Sequence, residues 1–534
     1  MNRLSSLKYL YNSLNFNYNT INRIRNKVAL GSQIGLFTSV LILITNFFLR
    51  SYFVKVYGAD LTGYYLLVVQ LMGVLNLAEL GISTALTYIL FKPLHRKENS
   101  ELRQLYFIIK KIYHFIALGI LVIGLLFFLL LNSIVNASIS PENLYITWGV
   151  FVISTSLSYL YSAQSVILTA DQNVYLVKLI TGLTRSLAYI LQIFLMICGV
   201  SFWIVCAIEL LSNVIQLILF NKLTLKKYPQ LVKLDITDTI NKENIISVKS
   251  KIKREIKYTF VHKIAGVVVF NTDYLIISVF LGITVITSFS SYMMLIQALA
   301  FLISAIASPL GAYIGAKLYS DSKEKVIRII SLYNSLFFML GIFCAYMFYI
   351  SSSTFVSLWM GKEIVLSQQL VLLLSVNCFV LIARISFDVA KVGLGYMSDV
   401  ELPLLEAIIN IIVSLVLVHY LGLNGIVIGT IVSNIIVVMI LKPVFLYKNA
   451  LKSDNAFIIH ELIRSWFFIS IFLLSIFFIT RAKVIVSNEW LDFFIQVCMS
   501  SITPLLLLIM IYSVFDSNVR KFMFVMFKKK YREN

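Results

Sequence analysis

Charged residues and helix breakers are scarce in this chain. Asp, Glu, Lys and Arg make up 13% of its 534 residues, where a soluble domain carries about a quarter. That excludes an ordinary water-soluble globule. With 7 prolines and 22 glycines, the chain is neither loop-rich nor disordered. The cysteines Cys198, Cys206, Cys344, Cys378 and Cys498 all lie in apolar blocks. None has metal-ligand spacing, so they read as small hydrophobic residues. His95, His114, His262, His419 and His460 are scattered at helix ends and turns, so neither a metal nor a cofactor is expected. No phosphate-binding glycine loop with its Lys appears, nor any hydrolase or kinase motif, which argues against an ATPase of its own. The first 28 residues are polar, aromatic and basic and lack the apolar core of a signal peptide. The first spanning helix is therefore expected to act as its own signal anchor.

Apolar surface is what the chain has in quantity. Hydrophobic residues make up 59% of it, gathered in blocks long enough to cross a hydrocarbon core of about 30 Å at about 1.5 Å per residue. In lipid the backbone must satisfy its own hydrogen bonds, as a helix or a closed barrel. Barrel strands would alternate apolar and polar residues, and these blocks do not. The pattern predicts an all-α polytopic membrane protein of about fourteen helices, near 31–56, 62–91, 112–131, 144–168, 174–197, 202–220, 258–281, 284–316, 329–350, 365–390, 402–420, 425–441, 464–479 and 490–515. Residues 1–30 read as a cytoplasmic N-terminal segment, 31–221 as a first lobe, 222–257 as a basic linker and 258–449 as a second lobe. A final helix pair at 450–515 and a basic tail at 516–534 complete the chain. Pro309 and Pro504 are expected to kink their helices.

The formal charge of +20 would suit a nucleic-acid binder, but its distribution points elsewhere. With the N-terminus inside and the helices alternating, the outside segments hold only Arg50, Lys55, Lys362, Arg481 and Lys483. Every other Lys and Arg falls inside, except Arg185 and Arg384, which lie within helices. This is the positive-inside bias. It predicts cytoplasmic termini and rests the linker on anionic lipid head groups. Two stretches, 50–75 and 273–299, each close a helix on glycine (Gly58, Gly282) and enter an apolar helix holding a Gln (Gln70, Gln297). This hints at a duplication, a common way to build transporters.

Ionisable groups inside apolar blocks are the candidates for function, because a charge at helix centre costs about 2.5–3.5 kcal/mol and so faces a cavity or a partner. They are Glu79, Arg185, Glu209, Asp273, Arg384 and Asp388. Arg384 and Asp388 are four apart, share a helix face and are able to pair; that pair either serves function or merely neutralises itself. Arg185 and Asp273 are expected to face a cavity. Glu79 precedes Leu80 and Gly81, where close helix packing accounts for it as well as function does. Arg50 and Lys55 lie near the outer end of their helix, where snorkelling to the interface is the alternative.

Several stretches resemble one family, the polysaccharide-type (Wzx-like) flippases of the multidrug/oligosaccharidyl-lipid/polysaccharide (MOP) exporter superfamily. They are Leu77-Ala78-Glu79-Leu80-Gly81-Ile82-Ser83-Thr84-Ala85, Lys92-Pro93-Leu94 and Ala170-Asp171-Gln172-Asn173. His262 to Val269 and Thr272 to Ser278 follow, then Leu358 to Glu363, Glu406 to Asn410 and Leu421 to Ile431. The likeness runs from about Lys27 to Asn449, and the last two helices match poorly. It implies two six-helix lobes around a central cavity, plus the two C-terminal helices, working by alternating access. It also implies an undecaprenyl-diphosphate-linked oligosaccharide as substrate, moved outward across the cytoplasmic (inner) membrane, with a polysaccharide polymerase and assembly proteins as candidate partners. A diphosphate needs cations within the membrane, for which Arg185, Arg384 and Lys55 are candidates. Asp273, Asp388 and Glu79 are candidates for a coupling proton or cation.

The charge bias makes a prediction about sidedness. In a cysteine-free background, Glu363→Cys should react with an impermeant maleimide in intact cells, whereas Glu98→Cys should react only after permeabilisation. Equal labelling from one side would overturn the topology.

Overall fold

The structure, a computed structural model, describes residues 30–76, 82–135, 139–231, 271–396, 399, 401–467, 470, 489–521 and 524 in full, and the backbone alone of 2–29, 468–469 and 471–476. Among the described residues every regular element is helical. Eleven helices among these residues are long and apolar enough to cross a membrane.

Among the described residues six helical elements build the first unit. They are α1 (Asn2–Leu75), α2 (Ile82–Arg96), α3 (Asn99–Ile134), α4 (Glu142–Ala170), α5 (Val174–Ile197) and α6 (Phe202–Lys227). A second unit holds α7 (Asn271–Leu281), α8 (Ile283–Ser320), α9 (Lys323–Met360), α10 (Gln368–Gly393), α11 (Glu401–Leu421), α12 (Leu423–Ala450), α13 (Asn455–Ile476) and α14 (Glu489–Phe515). The chain divides between the two near Lys263.

Glycine marks a matching break in each unit. α1 is interrupted at Gly58 (φ 80°, ψ 177°), and α7 passes into α8 through Gly282 (φ 90°, ψ 163°). Both lie in the left-handed half of the map, which costs an L-residue and not glycine. A Cβ at Gly58 would meet no atom within 4 Å, so backbone conformation and not crowding calls for glycine there.

In the first unit α1 packs on α5, and α2, α3 and α4 share a core that includes Leu90, Leu105, Ile109, Tyr113 and Ile167. Polar side chains, not only apolar ones, join α4 to α6. Tyr161 donates to Asn213 (2.8 Å), Gln164 to Asn221 (2.6 Å), and Asn213 to Ser154 (2.7 Å). Interhelical hydrogen bonds of this kind contribute about 0.6–2 kcal/mol each where water is absent. At one end of the unit the Asp171-Gln172-Asn173 turn is tied to the end of α6, for Tyr228 donates to the Asp171 carboxylate at 2.7 Å. Burial, followed by that hydrogen bond, pushes the Tyr228 phenol up from its ordinary pKa.

The second unit is built around α10, which packs against α8, α9 and α12. Phe338, Phe379, Ala383, Phe387 and Val438 lie at its centre. α13 and α14 are held to α9 by a buried polar cluster. Arg464 reaches Glu461 at 2.6 Å and Asp516 at 3.7 Å, while Ser331 donates to Glu461 (3.1 Å) and Ser335 to Asp516 (2.6 Å).

Several helices are longer than the apolar blocks suggest. α3 begins at Asn99 and not near 112, α9 spans 323–360 and not 329–350, and α12 runs to Ala450. The segment holding Arg103, Lys110 and Lys111 is helix because Leu102, Leu105 and Ile109 bury one face of it. Hydropathy finds where a helix crosses lipid, whereas its ends continue amphipathically into polar surroundings. Pro309 and Pro504 lie inside continuous helices. Glu79 and the linker beyond residue 231 lie outside the described residues.

Where α8 crosses α10 the backbones touch. A Cβ on Gly393 would stand 2.6 Å from the Gly311 carbonyl and 2.9 Å from Ile314 Cβ. Gly393→Ala should therefore lower stability by about 1–3 kcal/mol. Gly119→Ala, which meets nothing within 4 Å, should leave it unchanged or raise it by up to about 1 kcal/mol. Thermal unfolding of the purified protein compares the two, and equal midpoints would mean that the crossing relaxes freely.

Candidate functional site

In the first unit the candidate residues converge on α5. Arg185 lies at the middle of this spanning helix, yet its side chain is accessible. Its Nε donates to the Tyr189 hydroxyl at 3.1 Å, one turn along the same face. Glu209 on α6 is buried, and together with the phenols of Tyr189 and Tyr65 it lies within electrostatic reach of the guanidinium. Arg50 acts on Tyr189 from the first arm of α1, and Tyr65 comes from the second. Among the described residues two cations and one carboxylate thus meet beside phenols, an arrangement suited to an anion. Lys55 stands apart from this group. It is exposed, with its Nζ 5.8 Å from the Tyr52 ring centroid.

The second unit pairs its charges. Arg384 and Asp388 are joined at 3.7 Å along α10. Arg384 also reaches Glu406 of α11 at 3.1 Å, and Lys442 of α12 closes on the other Asp388 oxygen. Beside them Lys391 binds Asp399 at 2.7 Å. The four central charges sum to zero. Their side chains are unequally buried, at 7% accessible for Glu406, 11% for Lys442, 19% for Arg384 and 48% for Asp388.

Asp273 sits elsewhere in the second unit. It is buried on α7, and one carboxylate oxygen accepts from Thr430 of α12 at 3.1 Å. Thr430 in turn accepts from the Asn410 amide of α11 at 3.0 Å. The second Asp273 oxygen and the Asn410 carbonyl oxygen are buried with no donor among the described residues. A buried carboxylate unmatched by a cation costs several kcal/mol, so this corner is suited to a proton or a small cation with oxygen ligands.

Sequence spacing alone could bring Arg384 to Asp388, and Arg185 to Tyr189. Glu406 and Lys442 come from other helices and joined no candidate list. Each showed a charge at the edge of an apolar block, and Glu406 also opened one of the stretches that carry the family resemblance. Tyr65 had none, since an aromatic residue in such a block reads as lipid-facing or core.

No protein-family model matches the sequence, and no curated protein matches it. Solved structures do match. A lipid II flippase, MurJ, in an inward closed conformation aligns with 91% of this chain and 99% of its own, with a TM-score of 0.62 at 15% identity. An inward-facing multidrug resistance MATE family transporter of the MOP superfamily aligns with 78% of this chain and 96% of its own, with a TM-score of 0.56 at 15% identity. A MOP superfamily transporter from Pyrococcus furiosus, described as having a binding pocket of reversed polarity, aligns with 81% and 96%, with a TM-score of 0.52 at 15% identity. The likeness is one of fold. The chain is a multi-pass membrane protein with the helical fold of MOP-superfamily transporters.

The unequal burial within the charge network predicts unequal mutational costs. Glu406→Gln removes a buried counter-ion and should destabilise by about 3 kcal/mol. Asp388→Asn removes a half-exposed one and leaves an amide oxygen to accept from the buried Lys442, so it should cost less, about 1–2 kcal/mol. Thermal unfolding measures both, and equal losses would contradict this geometry.

Proposed function

We propose that this chain moves an undecaprenyl-diphosphate-linked oligosaccharide repeat unit from the inner to the outer leaflet of the cytoplasmic membrane, for capsule, exopolysaccharide or O-antigen synthesis. The observation that carries the reading is coverage. The structure of a lipid II flippase matches 91% of this chain, whereas the two other transporters match 78% and 81%. A transporter of lipid-linked sugars therefore accounts for more of the chain than a drug exporter does. The chemistry of the sites supports it. A diphosphate carried into lipid needs cations already in place, because an isolated charge there costs several kcal/mol. Arg185, with Arg50 nearby and Glu209 as the one carboxylate beside it among the described residues, offers them in the first unit. Arg384 is a second candidate and Lys55 a third, at the membrane edge.

Transport against a gradient needs a coupled free energy. Asp273 is the residue to which we assign it, since its unmatched carboxylate is able to take up and release a proton or a monovalent cation. Loading neutralises the corner formed by α7, α11 and α12, and unloading charges it. The two states therefore favour different packings of those helices. Asp388, already held by two cations, is the weaker candidate for that role. The termini are assigned to the cytoplasm on the Lys and Arg bias, and a polymerase and assembly proteins are the expected recipients.

A second reading is favoured by the same fold match. In it the cargo is a peptidoglycan precursor or a teichoic-acid precursor. All three cargoes share the lipid phosphate chemistry and differ in their head groups. A drug or cation antiporter is the remaining alternative.

Complementation separates these readings. In a strain lacking its repeat-unit flippase, the wild-type chain should restore surface polysaccharide. Arg185→Ala should reduce it about tenfold or more, which corresponds to losing a charge-assisted hydrogen bond of about 1.5–3 kcal/mol. Arg185→Lys should recover part of it. Rescue of a strain depleted of its lipid II flippase, with no surface polymer restored, would favour the second reading. Normal transport by Arg185→Ala would remove Arg185 from the substrate site.

A further inference from the structure

The network in the second unit contains more than a pair neutralising itself. Arg384 and Lys442 converge on one carboxylate, that of Asp388. Both cations are largely buried, with side chains 19% and 11% accessible. A cation that deep needs an anion beside it. Glu406 supplies one permanently, being 7% accessible and hydrogen-bonded to Arg384 at 3.1 Å. Asp388 supplies the other, but it is 48% accessible. It is the one member of the four with much accessible surface, and so the one able to turn away from the cations with the least repacking of its neighbours. If it left, two cations would remain against one carboxylate, and the opening it vacated would lead to them. Lys391 also acts on Asp388, though it is itself bound to Asp399.

We propose that Arg384 and Lys442 form a binding site for a phosphate or diphosphate group, which Asp388 occupies as an internal surrogate and surrenders to the ligand. Arg384 would offer its planar fork and Lys442 a point charge, the two donor types that recognise phosphoryl oxygens. The exchange conserves charge pairing, with one anion leaving as another enters. The cost is the surrogate's competition, and that competition sets the threshold for occupancy. An anion weaker than a carboxylate held four residues away does not displace it, whereas a diphosphate with two charged groups does. Asp388 thereby excludes chloride and similar ions from cations that would otherwise attract them. The site also adds Lys442 to the residues that select cargo. For the identity of the ligand, a lipid-borne diphosphate, the inference rests on the proposed function; for the existence of the anion site it does not.

The test is anion binding by the full-length protein in detergent at low ionic strength, followed by calorimetry. The probes are inorganic pyrophosphate and farnesyl diphosphate. Removing the surrogate in Asp388→Asn should tighten binding about tenfold, the equivalent of about 1.4 kcal/mol of competition. Asp388→Glu keeps a carboxylate on the same face and should stay within about twofold of wild type. Adding Lys442→Gln to Asp388→Asn should abolish the gain. Monodisperse elution and an unfolding transition establish that each variant is folded, and Asp388→Glu provides the comparison with the charge retained. The inference is overturned if Asp388→Asn binds no tighter than wild type, or if the gain survives Lys442→Gln. Farnesyl diphosphate binding more tightly than pyrophosphate would assign the site to a lipid-borne group, the expected result. Equal binding would keep the anion site and overturn its assignment to a lipid. A gain in Asp388→Asn together with failed complementation would discard the proposed cargo and leave the site standing.

Discussion

A charge held below the membrane surface must be matched there, because hydrocarbon offers no water to solvate it. Much of this structure follows from that requirement. It explains why Arg384, Asp388, Glu406 and Lys442, drawn from three helices, close into one network. The same requirement explains how α13 and α14 attach to α9, through an arginine set between two carboxylates and hydroxyls that satisfy their remaining lone pairs. Apolar packing could not specify these contacts as sharply, since lipid tails compete with leucine on nearly equal terms. Polar contacts have no such competitor, and they fix which helix meets which.

The two units meet the requirement differently. In the first, Arg50 and Arg185 both act on Tyr189, and Glu209 is the carboxylate beside Arg185 among the described residues. In the second, the charges near Arg384 balance, while Asp273 accepts from the Thr430 hydroxyl and has no cationic partner among the described residues. The breaks at Gly58 and Gly282 interrupt helices without proline, so the backbone can bend there without losing its ladder elsewhere.

The fold class was legible because membrane crossing is a one-dimensional problem. A run of apolar residues either spans the hydrocarbon or does not, and its period separates helix from barrel. The glycine breaks were legible for a similar local reason. Helix ends were less so. Residues 99–111 carry Arg103, Lys110 and Lys111 and read as loop, yet three buried side chains one turn apart make them helix. Hydropathy averages over a window and loses that stripe.

For the site, spacing within one helix was informative and spacing between helices was not. The i, i+4 separation of Arg384 and Asp388 announced a pair, because a helix fixes which residues share a face. Composition likewise fixed the scarcity of charge inside the apolar blocks and singled out Arg185 and Asp273. Only the tertiary structure decided who answers each charge. Glu406 lies 22 residues from Arg384 and Lys442 lies 54 from Asp388, separations that carry no geometric meaning along the chain. Tertiary packing also decided that Asp388 would be accessible while its partners were not. Sequence determines how much charge is buried, because burial follows from local hydrophobicity; packing determines its partners, because those depend on where neighbouring helices cross.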